Sequence, residues 1–235
     1  MHIQKIKKNL TTIILCGGKG QRLKPITNKT PKSLIKIDNK EILTHIIKNV
    51  KKYNIDNFLV LTGYKKKKVE SFLRKNFKKK INYLDTGQNT DILKRIKKGS
   101  KFYKDYLLIC YGDTLADINI NKLIEYHFKK KSNLTMSLFN QKLNFGIVSL
   151  KNTGKIKSFL EKPRLNNWIN IGYIFVKTDK FFSLSKNYLF FSSFLQNLGN
   201  MKNIYGFQHT ANHITVNTLT ELDEAKKKIK MFNKK

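Results

Sequence analysis

Residues 11–23 constrain this chain more than any other segment. Thr11–Leu15 is a short apolar run that ends abruptly in Cys16-Gly17-Gly18-Lys19-Gly20, followed by Gln21-Arg22-Leu23. A run with no alternating polar positions reads as a strand buried on both faces, and the glycines behind it as a tight loop. Glycine reaches backbone angles closed to other residues and lets backbone N–H groups come close to phosphate oxygens. Arg22 and Lys32 add mobile positive charge where a triphosphate would sit. Taken alone, the loop is equally a tight turn of any α/β fold. Its spacing does not fit Gly-x-Gly-x-x-Gly, and no Gly-Lys-Ser/Thr closes it, so neither familiar phosphate fingerprint applies.

Further along, apolar strand runs alternate with helical periodicity. Asn57–Thr62, Lys80–Leu84 and Tyr106–Tyr111 read as strands. Ile42–Tyr53, Lys67–Phe77 and Asp91–Phe102 read as helices between and beside them, with apolar residues three and four apart. A helix is expected over Ile120–Lys130, then strands at Asn133–Asn140, Phe145–Leu150, Ile156–Leu160 and Ile169–Val176. Phe145–Leu150 and Ile156–Leu160 are expected to join through a hairpin turn at Asn152–Gly154. A long helix over Thr178–Leu198, a strand at Tyr205–His209 and a helix at Thr220–Phe232 complete the pattern. Short alternating connections in the first half predict a parallel sheet covered on both faces, with a more antiparallel second half. No repeat or linker divides residues 1–235, so a single domain is expected.

The composition narrows the possible roles. No window reaches the ~18 consecutive apolar residues of a membrane span, and the apolar run after Lys5, Lys7 and Lys8 is too short for a signal peptide. Two cysteines, Cys16 and Cys110, sit in apolar runs without zinc spacing, which predicts buried thiols in the reducing cytoplasm. The chain carries 48 Lys and Arg against 15 Asp and Glu, a net charge of +33. Only four of those cations are arginine (Arg22, Arg74, Arg95, Arg164), the residue suited to bidentate reading of bases. The lysines are spread evenly among many Asn and Ile, as in AT-rich coding sequence. Specific nucleic-acid recognition is therefore not expected, and Lys65–Lys68 and Lys78–Lys80 read as solvated edges. A basic field does favour small anionic substrates. His209 and His213 are expected at the surface, and Tyr103, Tyr106 and Tyr111 in core or rim packing.

The run Gly17–Leu23 followed by Pro31-Lys32 resembles the signature of the sugar-1-phosphate nucleotidylyltransferases. The resemblance continues in the same order at Tyr111-Gly112-Asp113, Phe145-Gly146, Glu161-Lys162-Pro163 and Ile169-Asn170-Ile171-Gly172. Asp85-Thr86-Gly87, Asn89-Thr90 and Leu93-Lys94-Arg95 are similar to glucose-1-phosphate cytidylyltransferases. The compact length and the Ile-Leu-Cys-Gly-Gly opening also resemble heptose-1-phosphate guanylyltransferases.

The resemblance implies a three-layer α/β/α, Rossmann-like domain with a mixed, mostly parallel central sheet. The implied reaction joins an NTP to a sugar 1-phosphate with Mg²⁺, giving an NDP-sugar and pyrophosphate. Leu15, Gly17, Gly18, Lys19, Gly20, Arg22, Thr90 and Gly112 would bind the nucleotide. Arg22 and Lys32 would hold the triphosphate, and Lys162 the sugar phosphate. Gly146, Glu161 and Asn170 would complete the sugar side. Asp113 and Asn217 would hold Mg²⁺, although Asp113 at a strand end could instead cap the next helix. Many cytidylyltransferases have Asp where this chain has Asn217. The loop after Thr90 lacks the usual Thr-Gly-Gly, Ile171 stands for a glycine, and Ser33 for a proline. CTP with a hexose 1-phosphate is the first expectation, and GTP with a heptose 1-phosphate the second. A non-catalytic nucleotide sensor is the alternative of another class. The resemblance also implies homo-oligomers.

Overall fold

The computed structural model describes residues 3–77 and 81–232, so the expected lysine edge at 78–80 lies outside the described residues. Helix α1 (Ile3–Lys8) leads into β1 (Leu10–Leu15). After the glycine loop come α2 (Ile26–Lys29), the two-residue strands β2 (Lys36–Ile37) and β3 (Lys40–Glu41), and α3 (Ile42–Lys51). Strand β4 (Phe58–Thr62), α4 (Lys66–Phe77), β5 (Asn82–Asp85) and α5 (Ile92–Lys98) follow. Strand β6 (Tyr106–Tyr111) is succeeded by β7 (Thr114–Ala116), α6 (Ile120–Lys129) and β8 (Leu134–Phe139). A hairpin of β9 (Ile147–Leu150) and β10 (Ile156–Leu160) precedes β11 (Ile169–Lys177), α7 (Thr178–Ser185) and α8 (Phe191–Gln196). Strands β12 (Ile204–His209) and β13 (His213–Thr215) and helix α9 (Leu219–Lys228) end the order.

Seven strands form the central sheet in the order β12-β8-β11-β6-β1-β4-β5. The pairs β6–β1, β1–β4, β4–β5 and β8–β12 are parallel, and only β11 runs against its neighbours. Side chains alternate across this sheet and separate two apolar layers. Ile14, Phe58, Val60, Leu108, Cys110 and Phe175 face α1, α3, α4, α6 and α9. Ile13, Leu59, Leu61, Leu107, Ile109 and Ile174 face α5, α7 and α8. The result is the expected three-layer α/β/α arrangement. It explains why β1, β4 and β6 are mostly apolar and carry no charged residue, since helices cover both their faces.

The expected long helix over Thr178–Leu198 is two helices. Asp91 Oδ1 accepts from Leu93 N at 2.7 Å, capping α5, and from Phe191 N at 3.0 Å, opening α8. One carboxylate thus starts two helices, and the chain between them turns out at Leu189 and Phe190, both exposed. The expected surface position of His209 and His213 is not observed. His209 is buried with its Nε2 3.2 Å from Asp117 Oδ1, and His213 packs on Phe139 with ring centroids 5.0 Å apart. Tyr103 and Tyr106 are packing residues as expected. The Tyr103 hydroxyl donates to Ile96 O at 2.6 Å, and Tyr106 stacks on Phe175.

His127 lies under the same aromatic group, edge-on to Phe175 and Phe128, with Nδ1 2.9 Å from Thr135 Oγ1. Burial pushes its pKa down to about 4. The unfolded chain protonates this histidine near 6.5, so it binds the extra proton first as pH falls. Stability is therefore complete above about pH 6.5 and declines toward pH 4, with about 2 kcal/mol lost by pH 5 from this residue alone. His213, also pushed down to about 4 by burial, adds to the same slope. Urea midpoints measured between pH 7 and 5 should fall, and His127→Leu should flatten that fall. An unchanged slope in the variant contradicts the assignment.

Candidate functional site

A cavity of about 650 Å³ opens at the carboxyl ends of β1 and β6, where open α/β sheets place their ligands. Leu15, Cys16, Gly18, Lys19, Gly20, Gln21, Arg22, Lys32, Ser33, Gly112, Asp113 and Asn217 line it. Most belong to the expected nucleotide and metal groups. Cys16, Gln21 and Ser33 were not foreseen, though each adjoins a residue that was.

Backbone geometry accounts for two of the glycines. Gly20 has φ +61, in the left-handed region, and begins the turn carrying Arg22. A side chain there would also meet Thr27 at 3.0 Å and the Lys32 stem at 3.3 Å. Gly112 lets β6 end against β1, because a Cβ would lie 2.3 Å from Leu15 O.

Three distant segments meet at the polar end of the cavity. Lys32, in the turn after Pro31, places Nζ 2.5 Å from Asp113 Oδ2 and 2.8 Å from Asn217 Oδ1. Arg22 Nη2 donates to the same Asn217 oxygen at 3.2 Å. Asp113 caps no helix; Asn119 caps α6 instead, accepting from Lys122 N at 3.0 Å. Strand β7, just after Asp113, pairs antiparallel with β13, just before Asn217, with Thr114 opposite Thr215. Val216 N donates to Asp113 O at 3.2 Å and tightens that junction. Asn217 is held further by Glu221, whose Oε2 accepts from Asn217 N, while Thr218 Oγ1 caps α9 by accepting from Glu221 N.

The electrostatics follow from this list. Lys19, Arg22 and Lys32 face a single carboxylate, Asp113, so the cavity favours a polyanion. Asp113 Oδ2 and Asn217 Oδ1 already converge on one cation, the Lys32 ammonium. Two hard oxygen donors meeting at one point also suit Mg²⁺. Among the described residues no group of three or more His, Cys, Asp or Glu could hold a metal. A cation here would rest on this pair together with phosphate oxygens, the usual pattern for Mg²⁺. Cys16 borders the cavity, but burial pushes its pKa up to about 12, so it remains a thiol.

Other expected residues lie elsewhere. Gly17 faces away from the cavity, its carbonyl accepting from Arg95 Nη2 at 3.1 Å. Thr90 does not line the cavity, and its hydroxyl donates to Thr86 O at 2.6 Å. Gly146, Glu161 and Lys162 sit together on the β9–β10 hairpin, outside the main sheet and outside the cavity lining. A Cβ on Gly146 would meet Phe159 at 2.4 Å and Glu161 Oε2 at 3.3 Å. Lys162 is exposed, 3.5 Å from Glu161, and has φ +45, uncommon for a residue with a side chain. Asn170 stands between the two regions. It donates to the Tyr111 hydroxyl at 3.2 Å, one residue before Gly112.

Comparisons with known proteins identify the family. The nucleotidyl transferase family model matches residues 11–233. A protein of Bacillus subtilis (strain 168) named probable glucose-1-phosphate cytidylyltransferase is 32% identical, over 93% of this chain and 95% of that protein. The D-glycero-alpha-D-manno-heptose 1-phosphate guanylyltransferase of Aneurinibacillus thermoaerophilus is 28% identical, over 95% of this chain and all of that one. HddC from Yersinia pseudotuberculosis, solved in complex with GMP-PN, shares the fold with a TM-score of 0.70 at 21% identity, over 93% of this chain and 99% of its own. With the family model spanning nearly the whole chain and a 32%-identical relative of matching length, the chain belongs to the nucleotidyl transferase family, in its group of sugar-1-phosphate nucleotidyltransferases.

Proposed function

We propose that this enzyme joins CTP to a hexose 1-phosphate such as glucose 1-phosphate, releasing pyrophosphate, with Mg²⁺ bound at Asp113 and Asn217. The observation that carries the reading is the meeting of Lys32, Arg22, Asp113 and Asn217 in one cavity beside the glycine loop. A sugar-phosphate oxygen attacks the α-phosphorus, and the bond from that phosphorus to the pyrophosphate oxygen breaks. The nucleophile is already an anion, so no general base is needed, and the barrier lies in bringing two polyanions together in line. Arg22 and Lys32 bind the triphosphate, Lys32 exchanging Asp113 for phosphate oxygens. Bound Mg²⁺ supplies charge neutralisation on the phosphates. Gly18, Gly20 and Gly112 keep side chains clear of the nucleotide. Lys162, Glu161, Gly146 and Asn170 receive the sugar phosphate, and Thr90 belongs to the loop on the nucleotide side. The 32%-identical relative over nearly full length favours CTP and glucose 1-phosphate.

The second reading is GTP with a heptose 1-phosphate. It is favoured by the full-length guanylyltransferase match and by the fold shared with a protein solved with GMP-PN. No helix among the described residues is long and apolar enough to cross a membrane, and both cysteines are free and buried. These observations favour work in the cytoplasm. Self-association is favoured by Phe145, Ile147, Val148, Leu150, Ile156, Phe159, Leu160 and Trp168, all exposed on or near the hairpin. These side chains are left uncovered by the rest of the chain. A second copy of the chain fits this patch.

Pyrophosphate release measured with four NTPs and a panel of sugar 1-phosphates tests the reaction. The highest rate is expected for CTP with glucose 1-phosphate, and Asp113→Ala should lose about two orders of magnitude. Full activity in that variant removes Asp113 from the metal site. Asn217→Asp should tighten Mn²⁺ binding without nucleotide by about tenfold, because a charged donor replaces a neutral one. Electron paramagnetic resonance reads this directly, and unchanged affinity removes Asn217 from the donor pair. Sedimentation velocity should find a dimer or larger species that Phe159→Asp converts to monomer, and a monomeric wild type contradicts the self-association reading.

A further inference from the structure

Arg95 lies in the middle of α5 with only 4% of its surface exposed. Its guanidinium donates to Thr62 O at 3.2 Å, Thr86 Oγ1 at 2.7 Å, Gly17 O at 3.1 Å and Gln88 O at 3.1 Å. Every one of these acceptors is a neutral oxygen. Among the described ion pairs none includes Arg95; Asp85 and Asp91 act on it only through their fields. A buried cation without a contacting carboxylate is costly and persists only where hydrogen bonds compensate it. What distinguishes Arg95 is the set of oxygens it holds, three backbone carbonyls and one hydroxyl.

Those groups come from three separate segments at the carboxyl ends of adjacent strands. Gly17 opens the glycine loop after β1, Thr62 ends β4, and Thr86 and Gln88 follow β5. The flat fork of the guanidinium reaches all three at once, which a lysine ammonium cannot do. Gly17 makes room for it, since a Cβ there would lie 2.0 Å from Nη1. At Gly63 a Cβ would meet Nη1 at 2.5 Å and also Gly87 O at 2.7 Å. The fully buried Thr86 is tied in further. Its hydroxyl donates to Thr62 O at 2.7 Å, and its carbonyl accepts from Thr90 Oγ1 at 2.6 Å and from Lys98 Nζ at 2.9 Å. On the far side of Gly17, the next residue, Gly18, already lines the cavity.

We propose that Arg95 is a positioning residue that clamps the glycine loop to the 86–90 segment and so sets the nucleotide wall of the cleft without touching the nucleotide. This inference rests on the nucleotidyltransferase reading of the cavity. It explains why Gly17 is glycine although it faces away from the ligand space, and it gives Thr90, remote from the lining, a structural route to the nucleotide side.

Steady-state kinetics with CTP and glucose 1-phosphate, together with calorimetric binding of CTP, provide the test. Arg95→Lys keeps the charge but loses the span, and should raise the KM and Kd for CTP by about tenfold. The KM for the sugar phosphate should stay within about twofold, a split that general loosening of the fold would not produce. Thr86→Val removes one acceptor with little change of shape and should move CTP binding the same way by several-fold, which covers the case of an unfolded Arg95→Lys. Gly17→Ala should lose CTP binding in the wild type but add less than about threefold to the loss in Arg95→Ala, since the clashing group is then gone. Equal rises in both KM values, unchanged CTP binding in Arg95→Lys and Thr86→Val, or strict additivity of Gly17→Ala with Arg95→Ala would each overturn the inference. A wild type that binds no NTP of any base defeats the functional reading and this inference with it. A wild type that binds CTP as tightly as its Arg95→Lys variant defeats the inference alone.

Discussion

One ammonium group organises the site. Lys32 Nζ lies within hydrogen-bonding distance of Asp113 and Asn217, residues 81 and 185 positions away in sequence. The ion pair is largely buried, its side chains 14% and 28% exposed, and such pairs specify arrangement more reliably than they add stability. Here the arrangement is the joining of the early loop to the β7–β13 pair, with a carboxylate and an amide oxygen aimed at one point. Removing Lys32 would leave Asp113 uncompensated beside Asn217. In the proposed reaction a polyphosphate would give the ammonium an alternative partner and free the two oxygens for a metal. The contact compensates the carboxylate and, in that reading, would be exchanged on binding.

The glycines around this contact answer to different constraints. Gly20 supplies a left-handed backbone, Gly112 a close strand approach, and Gly17 room for a guanidinium. Of the three, Gly20 and Gly112 border the ligand space. A glycine-rich stretch in sequence therefore reports a crowded junction of strand ends. It does not report which crowding agent is responsible.

The same distinction marks what was legible in the sequence. Continuous apolar runs identified β1, β4 and β6 because helices cover both faces, and amphipathic spacing identified α3 and α4. The loop residues and Asp113 were legible because chemistry at a strand end leaves few alternatives for a carboxylate. What escaped depended on partners far away in the chain. Strands β7 and β13 have three residues each and exist only through each other. The break between α7 and α8 is made by Asp91, a hundred residues earlier. His209 is buried with its Nε2 bonded to Asn212 O, and Asn212 in turn donates to Asp117 about a hundred residues earlier, a pairing that local polarity could not reveal. Arg95 appeared as one more cation in a lysine-rich chain until its neutral acceptors were seen.

The two sides of the cleft are built in different ways, and this bears on how such an enzyme distinguishes substrates. In the proposed reading the nucleotide wall is the ends of three parallel strands, β1, β4 and β5, which Arg95 ties together. Lys32 is the part of that side that changes partners when a polyphosphate binds. The hairpin with Gly146, Glu161 and Lys162 pairs only with itself, exposes apolar residues on its surface, and holds Lys162 in a left-handed conformation. A two-stranded hairpin is marginal by itself and takes its geometry from what packs on it. In the proposed reading, phosphate chemistry falls to the sheet side and sugar binding to the hairpin, whose geometry depends on its surroundings. Substitutions in the hairpin can then alter the acceptor without disturbing the polyphosphate contacts, which is the division of labour that one fold serving many sugar phosphates requires.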